Sequence, residues 1–120
     1  MAKTVLMVDD SPTELKNMMS ALGSKGYTVI TAIDGEEALL KIASMRPDVV
    51  LLDVVLPKKN GFQVCRQLKA GADTKDIKVV LVTSKNQDSD RFWGMKQGAD
   101  GYLTKPYKPE ELVDLVSRYA

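Results

Sequence analysis

Val49-Val50-Leu51-Leu52-Asp53 is the stretch on which the fold turns. Four consecutive apolar residues, two of them β-branched, end on a carboxylate. So short and uncharged a run reads as a strand buried on both faces, as in a parallel sheet. Three more runs have the same build. Thr4-Val5-Leu6-Met7-Val8 leads into Asp9-Asp10, Val79-Val80-Leu81-Val82 into Thr83-Ser84, and Gly101-Tyr102-Leu103-Thr104 into Lys105-Pro106. In an open α/β sheet, ligands bind outside the carboxyl ends of the strands. The chain therefore aims three carboxylates, a hydroxyl and an ammonium at one place.

The segments between these runs have helical periodicity. Ser11-Pro12-Thr13-Glu14 reads as a helix start, with Ser11 as N-cap, Pro12 at the first helical position and Glu14 closing a capping box. Leu15, Met18, Met19 and Leu22 form its apolar stripe, and Gly23 or Gly26 ends it. Tyr27 to Ala32 is a further strand. Asp34 then caps a helix with Glu37 in its first turn, a stripe of Ala38, Leu39, Ile42, Ala43 and Met45, and a stop at Pro47. After Asp53, Pro57 to Asn60 is a polar loop. Gly61 opens a third helix with Phe62, Cys65 and Leu68 inward. A fourth runs from about Asp88 to Gln97, closed by Gly98, with Phe92 inward and Trp93 partly buried. Pro109-Glu110-Glu111 begins the last, whose apolar face is Leu112, Leu115, Val116 and Tyr119. Strand and helix thus alternate five times. That predicts a doubly wound α/β fold: a parallel sheet, helices on both faces and right-handed crossovers.

Composition narrows the function. A chain of 120 residues is expected to make one domain, 1–120, without an output domain. It can bury roughly two thirds of its unfolded surface, enough for a core without staples. A net charge of +1 gives no footprint of a nucleic-acid partner. No apolar stretch is long enough to span a bilayer and no signal-peptide core is present, so no membrane partner and a cytoplasmic location are expected. The single cysteine, Cys65, excludes an internal disulfide. Histidine is absent altogether, which excludes histidine acid/base chemistry and histidine-ligated zinc. Oxygen ligands and a hard metal remain.

Each site residue has an ordinary explanation when taken singly. Asp9-Asp10 would favour a helix start, Thr83 would end a strand, and Lys105 would be a solvated loop lysine. Their coincidence at neighbouring strand ends changes the reading. Two carboxylates about 5 Å apart repel by roughly 3 kcal/mol at an effective dielectric of 20. A divalent cation is the natural compensation, and Mg²⁺ suits few carboxylates and several waters. Asp53 is the best nucleophile, since a carboxylate can attack phosphorus to form an acyl phosphate. Thr83, or Ser84 beside it, offers a hydroxyl donor, and Lys105 is a compact cation for another phosphoryl oxygen.

These residues resemble the receiver domain of two-component response regulators, of which CheY is a single-domain member. The resemblance covers essentially the whole chain. Its matching elements are Val8-Asp9-Asp10-Ser11, Leu52-Asp53-Val54-Val55-Leu56-Pro57, Asn60-Gly61, Val82-Thr83-Ser84, Gly98-Ala99-Asp100-Gly101-Tyr102 and Lys105-Pro106. It implies the flavodoxin-like strand order 2-1-3-4-5. It implies that Asp53 takes a phosphoryl group from a separate, CheA-like sensor histidine kinase. Mg²⁺ would be held by Asp10, Asp53 and the backbone carbonyl of Val55, with Asp9 assisting. Thr83 and Lys105 would contact the phosphoryl group. Tyr102 would turn inward when Thr83 moves, and the Lys105-Pro106 bond would be cis. The protein would catalyse only its own phosphorylation and slow dephosphorylation, and would be mostly a monomer. Leu56 replaces the more usual methionine, a volume-conserving change. Val55 and Lys85 stand where the family tunes phosphoryl lifetime, and leave that lifetime open.

On the fourth helix, Arg91, Trp93 and Met95, with Tyr102 nearby, form a candidate recognition patch, since Trp and Arg are enriched at binding hot spots. The run Asp90-Arg91-Phe92-Trp93-Gly94-Met95-Lys96-Gln97-Gly98-Ala99 is similar to regulators of the type IV pilus twitching-motility branch (PilH and PilG type). That implies an output in surface motility, chemotaxis or phototaxis, through a downstream protein target, a motor-associated protein being one candidate. The alternatives are a phosphorelay intermediate outside motility and a phosphorylation-independent scaffold. A flavin carrier of the same fold is disfavoured because Asp9-Asp10 would repel a flavin phosphate. A haloacid-dehalogenase-type phosphatase would need a second aspartate where Val55 stands.

Overall fold

A computed structural model describes residues 3–120. Its elements alternate as β1 (Thr4–Val8), α1 (Pro12–Leu22), β2 (Thr28–Ala32), α2 (Gly35–Met45), β3 (Val49–Leu52), α3 (Gly61–Ala70), β4 (Lys78–Thr83), α4 (Asp88–Lys96), β5 (Gly101–Thr104) and α5 (Pro109–Tyr119). All strand pairs are parallel, in the order β2-β1-β3-β4-β5. The expected doubly wound α/β sheet is therefore the observed one.

Side chains leave a strand on alternate sides, and here each side has its own core. Leu6, Val8, Val50, Leu52, Val79 and Leu81 pack with Ala38, Ile42, Val64, Cys65 and Leu68 of α2 and α3. Val5, Met7, Val49, Leu51, Val80 and Val82 pack with Met18, Leu22, Leu112 and Val116 of α1 and α5. The central strands are buried on both faces, which explains why they are apolar throughout instead of alternating. The edge strand β2 is only partly buried.

Local signals place the helix starts well. The Asp34 side chain accepts the Glu37 N–H at 2.7 Å. Asn60 and Gln63 form a reciprocal capping box. The Ser11 hydroxyl accepts the Glu14 N–H at 3.3 Å, but the expected return bond is not made. The Glu14 carboxylate approaches Lys105 instead. α1 ends at Gly23, whose φ of −60° is still helical, and the left-handed glycine is Gly26 at φ 84° in the turn beyond. β2 begins at Thr28, one residue later than the sequence suggests. Met19, Ala43 and Met45 are exposed, so the stripes of α1 and α2 are narrower than expected.

The main correction concerns α4. Phe92, expected in the core, is 62% exposed, and Trp93 is 51% exposed. The buried residue of this helix is Gly94. A Cβ there would lie 2.7 Å from Leu81 Cδ1 and 3.2 Å from the Tyr102 ring. The helix therefore lies close against the sheet at its glycine, and a 3.6-residue period puts Phe92 on the far side. Phe92 packs with the Lys96 ammonium, 5.5 Å from the ring centroid. Phe92→Ala should thus change unfolding free energy by no more than about 0.5 kcal/mol. Leu112→Ala, in the buried face of α5, should cost about 2–5 kcal/mol. Urea denaturation of the two variants checks the assignment, and similar losses would contradict it.

Candidate functional site

Strand register builds the site. Val8 is level with Leu52 across β1 and β3, and Thr83 with Thr104 across β4 and β5. The parallel ladder continues one step past the strands. Asp9 N–H donates to Ala32 O at 3.1 Å, Asp53 N–H to Val8 O at 3.0 Å, and Lys105 N–H to Thr83 O at 2.8 Å. Neighbouring strands lie about 4.8 Å apart, so Asp9 and Asp53 must converge at the crevice where α1 and α3 diverge to opposite faces. Gly61 lets α3 start close to this loop. A Cβ there would fall 2.2 Å from Asp53 O, and its N–H donates to Val54 O at 2.8 Å.

Asp9, Asp10 and Asp53 each place a carboxylate oxygen within 4.8 Å of the others. Asp9 and Asp53 are buried and Asp10 is exposed. Lys105 bridges the two buried ones: its ammonium is 2.6 Å from Asp9 Oδ2 and 3.1 Å from Asp53 Oδ2. Asp53 Oδ1 accepts the Val55 N–H at 3.2 Å, and Asp9 Oδ1 the Ser11 N–H at 3.0 Å. Burial pushes the Asp9 carboxyl above its ordinary range, against the hydrogen bond from Lys105. Burial pulls Lys105 downward, but its hydrogen bond to Asp9 and the Asp53 charge prevail and leave it raised. Lys105 therefore stays an ammonium at neutral pH. The Lys105-Pro106 bond is cis, as the resemblance implies.

This donor set fits a hard divalent cation. Three hard oxygens converge, one of them open to solvent, and one ammonium does not balance three carboxylates. Asp9, Asp10 and Asp53 would hold Mg²⁺.

Thr83 is buried, and its hydroxyl accepts the Lys85 N–H at 3.4 Å. Ser84 is exposed. The Tyr102 ring is already turned inward: it is buried, and its hydroxyl donates to Lys85 O at 2.7 Å. Arg91 covers the ring at 5.0 Å from the centroid. Trp93 and Met95 lie exposed on the same helix. Two participants escaped sequence reasoning. The Lys85 peptide links the Thr83 hydroxyl to the Tyr102 hydroxyl through its backbone, which no side-chain motif encodes. Glu14 was read as a cap, and only the tertiary structure shows it 3.9 Å from Lys105.

A cluster of carboxylates and an ammonium at the carboxyl edge of this sheet defines a doubly wound α/β domain with an acidic site at its switch point. The chain belongs to the response regulator receiver domain family, whose model matches residues 5–117. It is 43% identical to protein PilH of Pseudomonas aeruginosa over 94% of this chain and 93% of that one. It is 41% identical to the alkaline phosphatase synthesis transcriptional regulatory protein PhoP of Bacillus subtilis over 93% of this chain, but spans only 46% of PhoP. Among solved structures, a putative response regulator from Chloroflexus aurantiacus superposes with a TM-score of 0.95 at 34% identity, covering 99% of this chain and 98% of that one. The chemotaxis response regulator CheY4 of Vibrio cholerae does so with 0.92 at 32%, over 100% of both chains.

Two outcomes follow from this geometry. Asp10→Asn relieves repulsion, so it should raise the thermal midpoint of the metal-free protein and remove most of the further rise that Mg²⁺ gives. In the parent protein, Mg²⁺ at ten times its Kd should add about 1.4 kcal/mol. Lys105→Met should destabilise most at neutral pH. Without the ammonium the Asp9 carboxyl rises further, and a carboxyl raised in the folded state costs stability in full above its folded pKa, a cost that fades to nothing only as pH falls to its unfolded pKa. The deficit against the parent should therefore shrink as pH is lowered from neutral toward the ordinary carboxylate range in urea melts. A deficit independent of pH would argue against the Asp9–Lys105 pairing.

Proposed function

We propose that this protein is a phosphorylatable switch in a two-component phosphorelay, with Asp53 as phosphoacceptor. The observation that carries the reading is the convergence of Asp53 with two further carboxylates and the Lys105 ammonium at one edge of the sheet. The donor is the phosphohistidine of a sensor kinase. An Asp53 oxygen attacks phosphorus, a new O–P bond forms, and the N–P bond breaks. The electron pair leaves with the imidazole, so the product is an acyl phosphate. Phosphoryl transfer needs positioning and charge neutralisation more than covalent chemistry. Bound Mg²⁺ supplies part of that neutralisation. Lys105, already beside Asp53, supplies another part, and the Thr83 hydroxyl donates to a third oxygen.

The switch then runs through the Lys85 peptide. Phosphorylation adds roughly one to two negative charges and strong acceptor oxygens. When Thr83 turns toward them, its hydroxyl leaves the Lys85 N–H, and the Lys85 carbonyl is fixed where the inward Tyr102 hydroxyl already reaches it. Because Tyr102 is already inward, phosphorylation holds this conformer instead of creating it, a bias of a few kcal/mol on an existing equilibrium. The surface so reshaped includes Arg91, Trp93, Met95 and Tyr102, and a downstream protein target would dock there. The identity to PilH over nearly the full length of both chains supports an output in twitching motility over a non-motility relay.

Incubation with acetyl phosphate and Mg²⁺, followed by intact-mass measurement, tests the chemistry. One added phosphoryl group is expected, and none in Asp53→Asn. No adduct, or an unchanged yield in that variant, would sink the reading. Trp93 lies on α4 and away from Asp53, so its fluorescence should respond more to phosphorylation than to Mg²⁺ alone.

A further inference from the structure

Lys105 has an acidic neighbour that lies outside the three-carboxylate cluster. Glu14 Oε2, on α1, is 3.9 Å from Lys105 Nζ, and the Glu14 side chain is 33% exposed. The Asp9 and Asp53 oxygens stand at 2.6 and 3.1 Å from the same nitrogen. An ammonium has three donors, and here three carboxylates surround it. Asp9 and Asp53 accept hydrogen bonds from it, whereas Glu14 draws it by charge alone, and a phosphoryl group on Asp53 must compete with that pull.

Beside Glu14 and Lys105 a cavity of about 370 Å³ opens between α1 and the start of α5, lined also by Asn17 and Tyr107. The Tyr107 hydroxyl is buried with no hydrogen-bond partner among the described residues. An unpaired buried donor is costly, so it is a ready partner for any acceptor that swings toward it. Burial, then the Glu14 charge, holds the Tyr107 phenol above its ordinary range, while Lys105 acts in the opposite sense. The three groups therefore feel one another's charge.

We propose that Glu14 is a positioning residue that competes with the phosphoryl group for the Lys105 ammonium, and that its carboxylate turns to the Tyr107 hydroxyl when Lys105 is engaged on phosphate. Glu14 thereby sets how readily the phosphorylated state forms and how long it lasts. The role rests on the phosphoacceptor reading of Asp53. Neutralising Glu14 removes a competing attraction on Lys105 and a negative charge from the phosphoryl neighbourhood. Removing the Tyr107 hydroxyl denies Glu14 its alternative partner and leaves it on Lys105.

The test compares the parent protein, Glu14→Gln, Tyr107→Phe and the double variant. Acetyl phosphate and Mg²⁺ generate the adduct, and its rate of formation and its decay after donor removal are followed by intact mass. Glu14→Gln should form adduct about threefold faster and lose it more slowly, the scale of a partly exposed ion pair. Tyr107→Phe should act in the opposite direction, but only while Glu14 is present, so its effect vanishes in the double variant. In NMR spectra the Tyr107 ring ¹³C shift should move on phosphorylation of the parent protein and stay put in Glu14→Gln. Because Glu14 is partly exposed, its substitution leaves folding intact, which thermal melts verify. Unchanged kinetics in Glu14→Gln, or the same Tyr107→Phe effect on both backgrounds, would overturn the role of Glu14 alone. No adduct on the parent protein would overturn the phosphoacceptor reading and this role with it.

Discussion

One ammonium between two buried carboxylates organises this molecule. Lys105 reaches Asp9 at 2.6 Å and Asp53 at 3.1 Å, where neither carboxylate is well hydrated. Without it, carboxylates less than 5 Å apart would face each other with a repulsion of about 3 kcal/mol at an effective dielectric of 20. Part of that repulsion persists, because one positive charge faces three negative ones. The balance is therefore deliberately incomplete: the site is stable enough to fold, yet a divalent cation or a phosphoryl group with its own cation can still improve it. Neither an all-apolar crevice nor a fully neutralised one would have that property.

The pairing depends in turn on strand register. A parallel ladder fixes which residues stand abreast, and a slip of one residue would turn each side chain to the opposite face. Register is secured by the two cores, since Val8, Leu52 and Leu81 face one and Met7, Leu51 and Val80 the other. Asp9, Asp53 and Lys105 then follow as the next steps of that ladder, each with its own N–H bonded to the neighbouring strand. The precision of the site is thus inherited from hydrophobic packing some distance below it. Glycine at position 61 completes the frame, because no side chain fits between α3 and the Asp53 carbonyl.

The fold was legible because its signals are local and periodic. Short, β-branched apolar runs between turn residues read as buried strands, and Ser11, Asp34 and Asn60 cap helices between them. The gathering of Asp9, Asp10, Asp53 and Lys105 was legible too, since it needs only strand ends and their order. What failed has a common cause. Glu14 satisfies the capping-box pattern, but a long carboxylate chooses between a backbone N–H and an ammonium that arrives from a distant part of the chain. Phe92 satisfies the expectation that an aromatic in a helix is buried, but Gly94 decides which face of α4 meets the sheet. A glycine facing the sheet carries no hydropathy signal. The Lys85 link between Thr83 and Tyr102 runs through main-chain atoms, and a main-chain bond leaves no trace in residue identity.

The uneven anchoring of the helices gives the proposed switch its direction. α5 buries Leu112 and Val116 in the core shared with α1, so moving it would expose large apolar area at about 25 cal/mol per Å². α4 buries only its glycine and leaves Phe92, Trp93 and Met95 outside. Shifting α4 uncovers little, and its remaining ties to the sheet are polar or cation–π contacts between Arg91 and Tyr102. Those ties converge on the one ring whose hydroxyl is bonded to the loop that follows Thr83. A bias of a few kcal/mol at Asp53 would be dissipated against a well-packed helix. It is sufficient against this one, and that is why the response is expected on the face where the large apolar side chains already point to solvent.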